Sequence, residues 1–330
     1  MSNEIVSGPG QSAGEEIMAE MSMGVEEWFA ARTYRGADYA AQELVAAKNG
    51  RRVSLVLPAR NEQATVGVMV EAIRTALVER VPLLDELVVI DSDSTDETAV
   101  VARRAGAEVW AQSEILPDLG AVPGKGEALW KSLAVTTGDL VGFVDADLHD
   151  FDPQLVVGLF GPLLTEDLAF VKGCYERPLS VAGGVVPGGG GRVTELVARP
   201  LLSMWWPELT GFVQPLAGEY AARRDVFESV PFVGGYGVEI GLLIDLVEAY
   251  GLGALAQVDL AVRKHRNAPD ASLARMAMQI QRTVWERLVR QGRVPRDSVP
   301  AESLHQYARA AAGGFERVTT ELVYAERPPM

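Results

Sequence analysis

Residues 53–62 read VSLVLPARNE, an apolar run that is stopped by a proline. The uncharged residues 53–57, ended by Pro58, are typical of a strand buried on both faces of a parallel sheet. Two further runs of this kind, at 87–90 and 140–144, are each followed by or end near an aspartate. Segments with helical periodicity alternate with these strands, at 65–79, 95–105 and 126–136. The alternation predicts an α/β fold with a mostly parallel sheet flanked by helices.

The ends of the predicted strands carry residues suited to binding. Ligands of open α/β sheets lie beyond the carboxyl ends of the strands. Pro58, Asp91 and Asp145 each follow a predicted strand directly. We therefore expect the functional site at this edge of the sheet.

The composition excludes several classes of protein. The chain has 330 residues, with 30 Lys and Arg against 45 Asp and Glu, which gives a formal charge of −15. Such an acidic chain is a poor general binder of nucleic acid or anionic lipid. Hydrophobic residues at 48% and charged residues at 23% are ordinary globular values. The lone Cys174 permits no internal disulfide and no apolar run is long enough to span a membrane, so we expect a cytoplasmic protein.

Changes in the sequence pattern divide the chain into five parts. Polar and glycine-rich residues predict a disordered arm at 1–14, followed by an N-terminal helical segment at 15–50. The clear alternation of strands and helices occupies 51–175. A less regular half of the same domain spans 176–292, and a polar tail follows at 293–330.

Two carboxylates follow the strand at 140–144 with one residue between them. Residues i and i+2 of an extended segment face the same way, so Asp145 and Asp147 converge past the end of the strand. Mg²⁺ in proteins is usually held by one or two carboxylates together with substrate oxygens. The alternative is a solvated acidic turn, but the position after a buried strand favours a site for a cation shared with a diphosphate.

The loops after the first two strands carry further polar residues. Pro58-Ala59-Arg60-Asn61-Glu62 leaves the first, and Asp91-Ser92-Asp93-Ser94-Thr95-Asp96 leaves the second. Their side chains and backbone are placed to bind a base and a ribose hydroxyl. Helix capping is the alternative, and it suffices for Ser94 or Thr95. It leaves Glu62 and Asp91 unexplained.

A lysine lies between two glycines before the helix at 126–136. Helix-start N–H groups close to Lys125 indicate a diphosphate site. The spacing GxxxxGK[ST] of a Walker loop is missing, so this is not a nucleoside-triphosphate loop of that type.

Taken in order, the four pieces P-x-x-N-E, D-x-x-S-T-D, G-K-G and D-x-D resemble the GT-A fold glycosyltransferases that use nucleotide sugars. The resemblance runs from about residue 53 to Asp147 and implies a Rossmann-like sheet whose second half binds the acceptor. Asp91-Ser92-Asp93 stands where that family usually has Asp-Asp-Gly, which indicates a specialised branch.

Motifs in the second half resemble one such branch, the glucosyl-3-phosphoglycerate synthases of actinobacteria. These motifs are 188–195 (GGGGRVTE), 235–239 (GYGVE) and 263–267 (RKHRN). The resemblance implies transfer of glucose from UDP-glucose to the 2-hydroxyl of 3-phosphoglycerate, with retention and with Mg²⁺ or Mn²⁺. It also implies an early step toward a glucosylglycerate-containing polysaccharide such as methylglucose lipopolysaccharide.

The resemblance assigns roles to individual residues. Asp147, Lys125 and Glu239 would be catalytic, and Asp147 with His265 would hold the metal. The residues expected to bind the nucleotide sugar are Pro58, Ala59, Arg60, Glu62, Ser92, Lys125, Asp145, Ala146, Tyr236 and Glu239. The residues expected to bind the acceptor are Gly191, Arg192, Thr194, Arg263 and Asn267.

The chemistry of these residues supports the roles and leaves alternatives open. An imidazole nitrogen suits Mn²⁺ better than Mg²⁺, and His149 rivals His265 for that position. A guanidinium and helix-start amides, as at Arg192 and Thr194, suit a phosphate or carboxylate. The basic cluster at 263–266 is alternatively a solvated face. Glu239 either binds a sugar hydroxyl or favours the helix dipole.

Two other functions remain open at this point. An inverting transferase acting on a polyprenyl phosphate shares the first-half motifs, and a non-catalytic nucleotide-sugar-binding module is the second alternative. Because no carboxylate nucleophile is evident, the retaining reaction is expected to use front-face attack rather than a covalent intermediate. The apolar N-terminal segment and the long helix near 273–291 favour a homodimer.

Overall fold

The computed structural model describes residues 24–176, 179–181, 184–186, 191–262, 270–309 and 315–330. The predicted arm at 1–14 lies outside them. The helices are α1 Val25–Arg32, α2 Ala41–Ala47, α3 Val66–Ile73, α4 Thr98–Ala105, α5 Lys125–Val135, α6 Gln154–Thr165, α7 Arg199–Trp205, α8 Arg224–Glu228, α9 Val238–Tyr250 and α10 Asp270–Arg290. The strands are β1 Thr33–Arg35, β2 Val53–Ala59, β3 Glu86–Asp91, β4 Glu108–Ala111, β5 Leu140–Phe143, β6 Phe170–Glu176, β7 Leu179–Val181, β8 Gly184–Val186, β9 Tyr220–Arg223, β10 Phe232–Val233, β11 Leu255–Val262, β12 Ser303–Arg309, β13 Phe315–Glu321 and β14 Glu326–Arg327.

One large sheet organises the domain and confirms the predicted α/β class. It has eight strands in the order β1-β11-β6-β9-β5-β2-β3-β4. Neighbouring strands are parallel except at β9, which runs antiparallel to both β5 and β6. Because β9 comes from the second half and pairs with β5 of the first, the boundary near residue 176 does not separate two sheets.

Alternating side chains of the central strands build a core on each face of the sheet. In β2, Val56 packs into one core, while Leu55 and Leu57 pack into the other. Successive residues of a strand point to opposite faces, so an uninterrupted apolar run is what a strand covered on both sides requires. The fully buried Trp206 belongs to the first core.

The N-terminal segment is more than the helical segment that the sequence predicts. Helices α1 and α2 are present, but β1 lies between them and pairs in parallel with β11 at the edge of the sheet. The chain then turns at Asn49 and Gly50, which have φ angles of 48° and 81°. Asparagine and glycine both tolerate this left-handed conformation. The turn lies where the N-terminal helical segment is predicted to end.

The C-terminal segment, predicted as a polar tail, contains regular structure. Strands β12 and β13 pair with each other as a hairpin, and β14 pairs antiparallel with β10. The backbone N–H of Met330 donates to the carbonyl of Glu228 at 2.9 Å. The end of the chain is therefore packed against the domain.

A buried guanidinium anchors this segment. The Arg287 side chain on α10 is fully buried and lies 2.5 Å from Asp245 of α9 and 2.6 Å from Glu326 of β14. It also donates to the Tyr324 hydroxyl at 2.6 Å. A buried charge is tolerated only when paired, so this arginine fixes α9, α10 and the C-terminal strand relative to one another.

Replacing Arg287 should destabilise the domain strongly. Arg287→Met leaves two acidic side chains, one of them buried, without their main partner, and we expect a loss of about 3–5 kcal/mol in the free energy of unfolding. Urea denaturation measures this loss. Arg290→Met is the matched control, because Arg290 contacts the same two carboxylates but is 44% exposed. It should cost less than about 1 kcal/mol, and equal losses for both variants would contradict the anchoring role.

Candidate active site

A cleft of about 730 Å³ opens at the carboxyl ends of β2, β3 and β5. This is the edge of the sheet at which the sequence predicts the site. Nearly all of the residues predicted to bind a nucleotide sugar line it, and the list is Pro58, Ala59, Arg60, Glu62, Ser92, Lys125, Asp145, Ala146 and Tyr236. Asp147 lines it as well. The ends of β2, β3 and β5 therefore meet at one cleft, as the sequence predicts.

The loops after β2 and β3 hold each other in place. The Asn61 backbone N–H donates to the Ser94 hydroxyl at 2.9 Å, and the Asn61 side-chain oxygen Oδ1 accepts from the Thr95 N–H at 2.8 Å. Helix α4 begins only at Thr98, whose N–H donates to Asp96 at 3.0 Å. The capping interpretation of Ser94 and Thr95 is therefore wrong, because both residues join the two loops instead.

Gln112 is a cleft residue that the sequence analysis missed. It is buried, and its side-chain oxygen accepts a hydrogen bond from the Ser92 hydroxyl at 3.0 Å. Its backbone carbonyl accepts from the buried Lys131 ammonium at 3.0 Å. Gln112 follows β4, a strand the apolar pattern did not reveal, so nothing in the sequence marked it.

A lysine on the floor of the cleft is paired with two carboxylates, of which Asp145 lines the cleft and Glu239, although predicted to bind the nucleotide sugar, does not. The Lys125 ammonium lies 2.5 Å from Asp145 and 3.0 Å from Glu239, the latter on the first turn of α9. Burial disfavours the charged form of Lys125, but the two carboxylates outweigh it and hold the pKa well above its usual value. Lys125 is therefore a fixed cation that joins the two halves of the domain.

The glycines around Lys125 serve packing rather than a phosphate loop. A Cβ on Gly126 would collide with the carbonyl of Val233, and one on Gly124 would lie 2.9 Å from the Cα of Gly235. The Gly126 N–H already donates to the Gly234 carbonyl at 3.0 Å. The Gly126 N–H, which the sequence predicts to contact a diphosphate, is therefore already used within the fold. The Lys125 ammonium remains as a group that can contact a diphosphate there.

Asp145 and Asp147 provide carboxylate oxygens, which are the ligand atoms that a hard cation prefers. Both carboxylates line the cleft, and the backbone between them is held by a hydrogen bond of 2.6 Å from the Thr65 hydroxyl to the Ala146 carbonyl. Within the described ranges, no group of three or more His, Cys, Asp or Glu side chains is placed to hold a metal. His265 lies outside those ranges, while His149 is exposed and is not among the residues that line the cleft.

Comparison with known proteins identifies the family. Residues 54–178 match the model of glycosyl transferase family 2. The chain is 52% identical over 261 residues to the glucosyl-3-phosphoglycerate synthase of Mycolicibacterium smegmatis, covering 79% of this chain and 85% of that protein. The chain belongs to the glucosyl-3-phosphoglycerate synthase family. It is therefore a hexosyltransferase with the GT-A fold.

Two solved structures are similar over most of their length. The mannosyl-3-phosphoglycerate synthase of Rubrobacter xylanophilus superposes with a TM-score of 0.85 at 43% identity, covering 93% of this chain and 97% of that one. The Mycobacterium tuberculosis glucosyl-3-phosphoglycerate synthase, in complex with Mn²⁺, UDP and phosphoglyceric acid, gives 0.77 at 45% identity. It covers 88% of this chain and 94% of that one.

Three of the five residues predicted to bind the acceptor fall within the described ranges, and none of the three lines the cleft. Gly191, Arg192 and Thr194 stand at the start of a short π-helical turn, Thr194–Ala198, and do not line the 730 Å³ space. Thr194 is buried. Arg263 and Asn267 lie outside the described residues.

The far wall of the cleft comes from the C-terminal part of the synthase. It is formed by Met278, Gln279, Arg282, Thr283, Leu322, Val323, Tyr324 and Ala325. Gln279 accepts a hydrogen bond from the Tyr236 N–H at 2.8 Å, and Gly234 N–H donates to the Ala325 carbonyl at 2.9 Å. The sequence alone assigned no role to this wall.

None of the helices in the described part of the chain combines the length and the apolar character needed to cross a membrane.

Arg327 ties this wall to the helix that begins at Lys125. It contacts the fully buried Glu127 with two nitrogens, at 2.7 and 2.8 Å, and its guanidinium stacks 5.3 Å from the Trp130 ring. Two parallel N–H bonds to one carboxylate are a strong, directional contact. The position of the wall relative to α5 therefore depends on this pair.

Arg327→Met should loosen the wall. The buried Glu127 would lose both nitrogens of its strongest ionic partner and keep the Lys131 ammonium at 3.3 Å and a backbone hydrogen bond from Val122, so we expect a loss of about 3 kcal/mol in the free energy of unfolding. Limited proteolysis should also cut the C-terminal segment faster, as detected by intact-mass spectrometry. Arg317→Met on the exposed β13 is the control and should change neither measurement. An Arg327→Met protein as stable and protease-resistant as the control would refute the anchor.

Proposed function

We propose that this enzyme transfers glucose from UDP-glucose to the 2-hydroxyl of 3-phosphoglycerate, with retention of anomeric configuration and with a divalent cation. The observation that carries the proposal is the Lys125–Asp145–Glu239 set at the floor of a cleft that is lined by the loops after β2 and β3 and by the C-terminal part of the chain. It is supported by the family and by the UDP and phosphoglyceric acid bound in the M. tuberculosis enzyme.

The nucleoside would lie against the loops after β2 and β3. Pro58 and Ala59 offer apolar surface and backbone groups, and Glu62 and Ser92 offer polar groups for a base and a ribose. Because Asn61 locks the two loops together, these groups are preorganised and little entropy is lost on binding. Arg60 at the rim adds a cation.

The charge of the floor favours a divalent cation. The carboxylates of Asp145, Asp147 and Glu239 at this floor outnumber the Lys125 ammonium that contacts two of them. Such a floor repels a diphosphate, so a further cation is needed there. Asp147, with His265 as the second expected ligand, would hold Mg²⁺ or Mn²⁺. When bound, this cation supplies stabilisation of the charge that grows on the leaving diphosphate.

The residues of the chain itself would orient the sugar and stabilise the leaving group. The Lys125 ammonium points at the position of the diphosphate and compensates part of its charge. Glu239, which accepts a hydrogen bond from Lys125 at 3.0 Å, would accept further hydrogen bonds from sugar hydroxyls. Arg192, Thr194, Arg263 and Asn267 would orient the acceptor, and proximity then contributes much of the rate.

Retention favours attack from the face that the diphosphate leaves. A covalent route needs a carboxylate nucleophile beneath the sugar. Asp145 and Glu239 are each paired with Lys125 and are thereby poorer nucleophiles. We propose front-face attack, in which the acceptor hydroxyl gives its proton to the departing phosphate oxygen. Trapping of a glycosyl-enzyme adduct would refute this route.

Release of UDP tests the proposed reaction. Purified protein should release UDP from UDP-glucose only when both 3-phosphoglycerate and Mg²⁺ or Mn²⁺ are present. A product with the α-anomeric configuration of the donor, determined by NMR, would support retention. Release that ignores 3-phosphoglycerate would overturn the acceptor assignment and leave the donor assignment intact.

Asp147→Ala tests the metal assignment. This variant should lower metal-dependent turnover by at least about 100-fold, because charge stabilisation in the transition state is lost. Its thermal unfolding midpoint should match that of Asp167→Ala, a control whose side chain is fully exposed. Near-normal activity of Asp147→Ala would overturn the assignment.

The donor has one specific rival. The superposition on the R. xylanophilus enzyme, named as a mannosyl transferase, makes GDP-mannose the donor to compare with UDP-glucose. We propose that kcat/KM is higher for UDP-glucose, and higher turnover with GDP-mannose would reassign the donor. A polyprenyl phosphate offered in place of 3-phosphoglycerate should give no product.

We also propose that the enzyme is a cytoplasmic homodimer. A buried thiol, Cys174, whose pKa is raised to about 12 by burial, suits a reducing compartment and has no thiol partner in the chain. The dimer rests on the long helix α10 and the apolar N-terminal segment. Light scattering coupled to size exclusion would measure its mass, and a mass of one chain would refute the dimer.

A further inference from the structure

Gly218 lies directly beneath the ion pair on the floor of the cleft. A Cβ built on Gly218 would lie 2.5 Å from the Lys125 Nζ and 2.6 Å from the Asp145 Cγ, and it would overlap the Asp145 Oδ2. A carbon atom cannot approach a nitrogen or oxygen atom this closely unless the two are covalently linked. The space that a side chain would fill at residue 218 is therefore taken by the two charged groups.

The requirement for glycine at this position concerns space and not backbone conformation. Gly218 is not among the described glycines with a positive φ, whereas Gly124, for example, has a φ of 108°. An alanine at residue 218 would therefore meet no backbone penalty of the left-handed kind. Its cost would fall on the contact between Lys125 and Asp145.

The backbone around Gly218 is fixed by a buried lysine. The Lys172 side chain on β6 is 1% exposed, and its ammonium donates to the Ala217 carbonyl at 2.7 Å. On the other side of Gly218, the Glu219 carbonyl accepts from the Gly173 N–H at 2.8 Å. Two hydrogen bonds from β6 thus hold the segment 217–219 at a set distance from the cleft.

The environment of Lys172 suits a structural amine. Burial lowers the pKa of Lys172 to about 7, against the attraction of Glu239 and Glu219. The ammonium also lies 4.6 Å from the centre of the Tyr220 ring. The Lys172 amine carries N–H groups whether it is charged or neutral, so it can donate to the Ala217 carbonyl both above and below pH 7.

We propose that Gly218 and Lys172 are positioning residues for the transfer reaction: Gly218 leaves the space in which Lys125 meets Asp145, and Lys172 fixes the Gly218 backbone. The proposal rests on the proposed role of Lys125 at the donor diphosphate. Neither residue needs to touch the substrate. Their effect on the reaction passes through Lys125 and Asp145.

Gly218→Ala is the first test. Displacement of reacting or charge-stabilising groups by about 1 Å can cost 100-fold in rate, so we expect kcat per UDP-binding site to fall by about 100-fold. The number of UDP-binding sites comes from titration calorimetry. Gly67→Ala is the matched control, since its Cβ would crowd the Val101 side chain, at 2.5 Å, between α3 and α4 and away from the cleft. Its kcat should stay within about threefold of the parent.

A double-mutant cycle separates positioning from general disruption. If Gly218 acts through Lys125, adding Gly218→Ala to Lys125→Met should lower kcat by less than about fivefold, because the group being positioned is already gone. A purely structural defect would lower kcat by the same factor in both backgrounds. Equal factors would therefore overturn the proposal. Wild-type activity of Lys125→Met alone would instead overturn the proposed role of Lys125 at the diphosphate, while the transfer reaction itself would stand.

Lys172→Met tests whether Lys172 fixes the Gly218 backbone, and it leaves residue 218 unchanged. Methionine fills similar space but cannot donate to the Ala217 carbonyl, so kcat per UDP-binding site should fall by about tenfold, with Lys172→Arg restoring part of it. If Gly218→Ala does not fold, Lys172→Met takes its place in the double-mutant cycle with Lys125→Met. A smaller loss of kcat in the Lys125→Met background would again indicate positioning, and an equal loss would overturn it. An unchanged kcat for Lys172→Met would refute the role of Lys172.

Discussion

The ion pairs of Lys125 with Asp145 and Glu239 are the contact on which the rest of the site depends. Lys125 begins α5, Asp145 follows β5, and Glu239 opens α9, so one ammonium joins three distant chain segments. Attraction between charges is strong where water is partly excluded, so this contact fixes the donor-binding half against the second half. The antiparallel strand β9, which brings Gly218 under the pair, makes the contact sterically possible.

The C-terminal segment completes the cleft that these pairs begin. Arg287 and Arg327 are both largely buried, and each contacts an acidic side chain on a different helix. A cleft wall held by two such pairs is set in position by the whole fold rather than by its own short strand, β14. This explains why a segment without an apolar pattern is ordered at all, since an isolated pair of short strands has marginal stability in water.

Much of the fold and part of the site follow from the sequence because parallel strands end at the same edge of a sheet. That rule alone brings Pro58, Ser92 and Asp145 into one cleft. The rest depends on contacts between residues far apart in the chain. Gln112 enters the cleft only because the weakly apolar β4 joins the sheet, and Tyr324 enters only because Arg287 holds its hydroxyl. Neither contact leaves a local signal in the sequence.

The glycines show most clearly where sequence reasoning stops. Gly126 beside Lys125 has the local pattern of a phosphate-binding turn, yet it is there because the backbone of Val233 passes too close for a side chain. Gly218 has no pattern at all, yet its missing side chain makes room for the ion pair. A glycine required for its φ angle can be inferred from the turn it makes. A glycine required for space can be recognised only when the opposing residue is known, and here that residue lies far away in the sequence. The floor of the cleft is thus specified as much by absent side chains as by the charged ones.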